Sequence, residues 1–112
     1  MTITIWHNPR CSKSRQTLAL LEGREVEIRL YVQDPPSAAE LRDALAALQR
    51  PAIELVRTGE AEFKAAGLTK QSSEDALVAA MAKHPKLIER PVVFANGKAA
   101  LGRPPEAVLK LL

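Results

Sequence analysis

The chain has 112 residues, 46% hydrophobic and 26% charged, with one cysteine and a formal net charge of +3. That is enough for one domain with a true core, and no apolar run reaches membrane-spanning length. A single thiol excludes an intrachain disulfide scaffold and a cysteine-rich zinc site.

The basic residues are spread along the chain instead of being blocked into a tail, so no nucleic-acid partner and no membrane partner is expected. The opening segment lacks the basic-then-apolar pattern of a secretory leader, which makes the cytoplasm the expected compartment and a monomer the default state. Residues 2–6 alternate Thr2, Ile3, Thr4, Ile5 before Trp6, a β-branched pattern of period two that predicts a strand. A helix follows, with Leu18, Ala19, Leu20 and Leu21 as its apolar face and Gly23 at its end. Residues 25–32 alternate again, placing Val26, Ile28 and Leu30 on one face and Glu25, Glu27 and Arg29 on the other.

After Pro35-Pro36, Ser37 and Glu40 have capping-box spacing, and Leu41, Ala44, Leu45 and Leu48 recur at helical intervals. Pro51 suits a short helix through Leu55, residues 60–66 suggest another ended by Gly67, and Ser72 or Ser73 caps one running to about Lys83. Residues 37–84 thus read as a helical insert. The segments 91–95 and 98–101 flank Asn96-Gly97, a strong hairpin signal, and Pro104-Pro105 begins a helix running to Leu112. The order β-α-β, helices, β-β-α predicts an α/β fold: a thioredoxin-like mixed four-stranded sheet carrying an inserted helical lobe, within one domain over 1–112.

Cys11 falls where the first strand gives way to the first helix, in H-N-P-R-C-S-K-S-R-Q. Unpaired backbone N–H groups and the dipole of a helix start favour negative charge there. His7, Arg10, Lys13 and Arg15 stand within four residues, and no residue from 7 to 16 is acidic. A thiol in that field titrates below its ordinary value and is nucleophilic. Burial as a small apolar side chain is a poor account of a cysteine among polar and turn-forming neighbours. The C-x-x-S spacing ending at Ser14 lacks the second thiol of a dithiol oxidoreductase. Lys13-Ser14 lacks the glycines of a phosphate loop, and two histidines with one cysteine make a poor metal set, so no bound cofactor or metal is expected.

Arg57 closes I-E-L-V-R, Arg90 precedes Pro91 in E-R-P-V-V-F, and Arg103 stands in L-G-R-P-P. Guanidinium groups present planar forks of donors suited to tetrahedral oxyanions. In a thioredoxin-like arrangement a proline at the start of this strand faces the active thiol.

These segments resemble the glutaredoxin-linked arsenate reductases and their arsenate-reductase-like relatives. The likeness runs through H-N-P-R-C-S-K-S-R-Q-T-L, L-V-R at 55–57, E-R-P-V-V at 89–93 and G-R-P-P-E-A-V-L at 102–109, in the family's order. The resemblance implies that Cys11 is the nucleophile, with His7 helping to ionise it. It further implies that Arg57, Arg90, Arg103 and Ser14 bind the oxyanion, and that a cis bond precedes Pro91. Where studied reductases have Gly-Thr-Ser after the cysteine, this chain has Ser12-Lys13-Ser14, a stiffer and more basic loop.

The resemblance also implies arsenate as substrate, reduced to arsenite. Two electrons are needed and the chain has one thiol, so the second thiol comes from outside. Glutathione fits as co-substrate, and glutaredoxin as the partner that resolves the mixed disulfide. Two other readings stay open at this point. One is a glutathione-dependent thiol oxidoreductase or non-catalytic binding module. The other is an RNA-polymerase-binding redox regulator, although Ser14 removes the C-x-x-C switch of that branch.

Overall fold

The computed structural model describes residues 2–112. The chain divides into two compact units, Met1–Asp34 with Arg90–Leu112, and Pro35–Glu89.

The first unit holds a four-stranded sheet built from β1 (Ile3–Trp6), β2 (Val26–Arg29), β3 (Val92–Ala95) and β4 (Lys98–Leu101), in the order β2-β1-β3-β4. β1 runs parallel to β2, with Ile3 opposite Val26 and Trp6 opposite Arg29. It runs antiparallel to β3, with Ile5 opposite Val93. The parallel pair is joined by helix α1 (Ser12–Leu20), as a crossover connection requires. The result is the mixed thioredoxin-like sheet that the order of elements predicts. Asn96 and Gly97 close the β3–β4 hairpin with φ of 56° and 74°, the paired positive values of a twist-matched two-residue turn.

Alternation along the strands builds the core. Ile3, Ile5, Val93, Ala95 and Ala100 pack with Leu21, Val108 and Leu111. Each valine, leucine or isoleucine of that cluster removed from water contributes about 1.5–3 kcal/mol. Val108 and Leu111 come from a 3₁₀ turn over Pro105–Leu111, where the sequence predicts a helix from the Pro104-Pro105 pair to Leu112. The end of α1 also differs from the apolar face read from sequence. Its buried stripe is Ser14, Thr17, the half-buried Leu18 and Leu21, whereas Leu20 is 39% exposed. β2 is shorter than residues 25–32, and Ile28 and Leu30 on its expected buried face are 49% and 40% exposed. β2 is the edge of the sheet, and only Val26 of that face reaches the core cluster.

The second unit is helical, with α2 (Ala38–Leu48), α3 (Ala61–Ala65) and α4 (Glu74–Lys83). Ser37 and Glu40 form the reciprocal capping box their spacing predicts, at 3.0 and 3.1 Å. Ser73, not Ser72, caps α4 by accepting from Ala76 N–H. α2 packs on α4, each burying an aliphatic stripe. The Pro51 segment forms a 3₁₀ turn over Ala52–Glu54, whose first N–H donates to the Glu74 carboxylate at 2.9 Å. An antiparallel bridge between Val56 and Ile88 brings the flanking Arg57 and Glu89 together.

Candidate active site

The sheet positions the cysteine through the end of β1. One further ladder bond, His7 N–H to Arg29 C=O at 2.9 Å, extends the parallel pairing, after which the chain turns. Asn8 organises the turn: its C=O accepts from Cys11 N–H and its Oδ1 from Arg10 N–H, each at 3.0 Å. Cys11 is extended, with φ −97° and ψ 123°, and its C=O accepts from Arg15 N–H as the cap of α1. Its side chain is half-buried.

Ser14 is fully buried one turn into α1, with its hydroxyl 3.0 Å from Asn8 N–H and 2.7 Å from His7 Nδ1. With the Asn8 N–H donating to the oxygen, the hydroxyl proton is left for His7, in the neutral tautomer whose proton sits on Nε2. Burial, and secondarily Arg15, hold the imidazole below its ordinary pKa, which favours that neutral form. His7 therefore enters the site as a neutral group braced on Ser14. The Ser14 hydroxyl, expected among the oxyanion ligands, is committed to this brace. What Ser14 offers the cysteine is its backbone N–H.

The thiol is held below its ordinary pKa. Burial works against ionisation, but the Ser14 N–H, the Arg90 guanidinium and the Lys13 N–H together outweigh it. Charge-assisted donors of this kind favour thiolate over thiol. Arg103 adds a third direction: its Nη2 lies 3.8 Å from Cys11 Sγ, while its Nε donates to Arg90 C=O at 2.9 Å. Two arginines distant in sequence thus meet one sulfur, and one of them is fixed on the backbone of the other. Both precede prolines in cis peptide bonds, Arg90-Pro91 and Arg103-Pro104. The resemblance implied the first and not the second.

The profile of the ArsC family matches residues 6–111, from the end of β1 through the last turn. The chain belongs to the ArsC family. Its sequence is 53% identical to the uncharacterized protein YfgD of Escherichia coli K12, covering 98% of this chain and 96% of that one. It is 45% identical to the arsenate reductase of Neisseria meningitidis serogroup A, over 98% and 97% of the two chains. Among solved structures, the arsenate reductase from Vibrio cholerae superposes with a TM-score of 0.95 at 48% identity, over 100% and 98% of the two chains.

Of the residues singled out in this ArsC-family sequence, Cys11, His7, Ser14, Arg90, Pro91 and Arg103 all lie in the first unit. Arg57 lies in the second, where its Nη1 pairs with Glu89 at 2.6 Å and its Nε with Glu60 at 3.1 Å. Three further residues bear on the site. Gly102 packs so tightly that a Cβ would overlap Thr17 Oγ1 and come 2.6 Å from Pro91 Cγ, and its N–H donates to Pro91 C=O at 2.9 Å. Thr17 is buried there with its hydroxyl on Lys13 C=O at 2.8 Å. Tyr31, just past β2, is fully buried beside Asn8 and Arg90. Gly102 and Thr17 had a signal in the sequence, a glycine before an arginine-proline pair and a polar residue on the Ser14 stripe. Tyr31 had none. No group of three or more metal-ligating side chains occurs among the described residues, and no helix among them is long and apolar enough to cross a membrane.

Proposed function

We propose that this chain is an arsenate reductase that uses Cys11 as its nucleophile and draws its second thiol from glutathione. The observation that carries the reading is the depressed thiol of Cys11 facing Arg90 and Arg103, in a chain with one cysteine. The arsenate reductases among its relatives supply the substrate.

In this reading the Cys11 thiolate attacks arsenic of a bound arsenate dianion, whose charge the guanidiniums of Arg90 and Arg103 offset. A sulfur–arsenic bond forms, an arsenic–oxygen bond breaks, and the departing oxygen takes up a proton and leaves as water. Glutathione sulfur then attacks Cys11 Sγ. The electron pair of the sulfur–arsenic bond passes to arsenic, reducing arsenic(V) to arsenic(III), and arsenite leaves after protonation. The remaining Cys11–glutathione disulfide is resolved by glutaredoxin through thiol exchange. Arg57 is assigned to the oxyanion by the resemblance, and His7 with Ser14 keeps the Cys11 loop in place.

The test is arsenite formation by the full chain supplied with arsenate, glutathione, glutaredoxin and its recycling system. Wild type turns over and Cys11→Ser does not. Disulfide reduction in the absence of arsenate, together with no arsenite from the wild type, would instead assign a general thiol oxidoreductase.

A further inference from the structure

Tyr31 is fully buried, and although Asn8 and Arg90 turn donors toward its oxygen, no hydrogen bond of good geometry forms there and the hydroxyl proton has no acceptor among the described residues. A buried polar hydrogen left without an acceptor is unfavourable until one arrives. Its position follows from the sheet. β1 and β2 are parallel, with Trp6 opposite Arg29, so both strands deliver their following residues to the same end. Tyr31 stands two residues past Arg29, and Asn8 two past Trp6, at the turn that leads into Cys11.

Its electrostatic neighbours agree with that register: Asn8, Arg90 and Cys11 all act on the phenol. Burial is the largest influence and raises its pKa, so the proton stays on oxygen. The phenol is then an O–H donor beside the guanidinium and sulfur that face one another, with no acceptor of its own.

We propose that Tyr31 is an oxyanion-binding residue, whose hydroxyl donates to an oxygen of a tetrahedral oxyanion held between Cys11 and Arg90. This rests on the reading of the site as an oxyanion pocket and adds a neutral donor to its cations. A rigid phenol fixed by burial selects a ligand with an acceptor oxygen at that point, and it does so without adding charge.

The experiment needs no reductant. Alkylation of Cys11 by iodoacetamide is followed in the full chain with increasing inorganic phosphate or arsenate, in wild type and Tyr31→Phe. The phenylalanine variant keeps the buried ring and removes only the hydroxyl, so it is expected to fold. Each protein's alkylation rate in anion is normalised to its own rate without anion, so that any change in the reactivity of Cys11 itself is separated from anion binding. The anion concentration that gives half-protection should rise about tenfold or more, the loss expected for a hydrogen bond to a charged acceptor. Equal protection in the two proteins overturns the role of Tyr31 and leaves the oxyanion pocket standing. Absence of protection in wild type overturns both, whereas failure of arsenate turnover with protection intact touches only the reductase reading.

Tyr31 is the one tyrosine in the chain, so uniform 3-fluorotyrosine labelling gives a second readout that does not depend on the variant's folding. A fluorine resonance that shifts on adding phosphate supports the assignment. One that stays fixed under saturating anion overturns it.

Discussion

Ser14 and His7 show how a pair of polar side chains can brace the loop that carries a neighbouring sulfur. The Ser14 hydroxyl joins the end of β1 to the first turn of α1 through Asn8 and His7. Ser14→Ala strands a buried imidazole nitrogen and a backbone N–H, and is expected to cost about 1–3 kcal/mol in urea denaturation. Because the Ser14 N–H survives that change, the alkylation pH profile of Cys11 should move less than it does in Arg90→Ala. His7 adds a pH dependence of known sign. Its pKa is lowered in the folded chain, so below the unfolded value of about 6.5 the unfolded state binds the extra proton first. Stability is therefore full above that value and falls with acidification through the folded pKa. His7→Gln, which keeps a hydrogen-bonding group but does not titrate there, should flatten the fall in melting temperature between neutral and mildly acid pH.

Among the elements, those set by short-range rules were the ones legible in the sequence. The Asn96-Gly97 turn, the Ser37–Glu40 capping box and the β1 alternation each follow from a few adjacent residues, and each forms as read. Elements whose role depends on distant neighbours were read less well. Ile28 and Leu30 alternate like core residues, but β2 is an edge strand and leaves them exposed. Ser14 and Thr17 are polar, yet they sit on the buried stripe of α1, where His7, Asn8 and Lys13 C=O satisfy them.

Gly102 belongs to this scale as well, since its missing side chain lets the end of β4 pack on Thr17 and Pro91 just before Arg103. Gly102→Ala forces that packing apart, and a destabilisation of about 1–3 kcal/mol is expected from overpacking. The displaced Arg103 should also leave Cys11 Sγ, raising the anion concentration needed to protect the thiol from alkylation. A variant with wild-type stability and anion protection would show that the close approach is not needed.

At the scale of the whole chain, the groups that set the ionisation of Cys11 come from the first unit: the Lys13 and Ser14 N–H groups, and Arg90. Arg57 comes from the second, where Glu60 and Glu89 hold it. The oxyanion role proposed for it rests on the resemblance alone, because nothing in L-V-R separates it from a surface arginine. Arg57→Ala is accordingly expected to leave the titration of Cys11 in place while raising the arsenate concentration needed for turnover. Unchanged arsenate kinetics in that variant would remove Arg57 from the proposed site.

What the account depends on most is a sulfur whose ionisation is favoured by the donors around it. The single cysteine makes this directly measurable, as thiolate ultraviolet absorbance in the native chain titrated against pH, with Cys11→Ser as blank. A midpoint clearly below the ordinary thiol value of about 8.5, moving upward in Arg90→Ala, is the expected result. A midpoint at or above that value, unmoved by loss of the guanidinium, would contradict it.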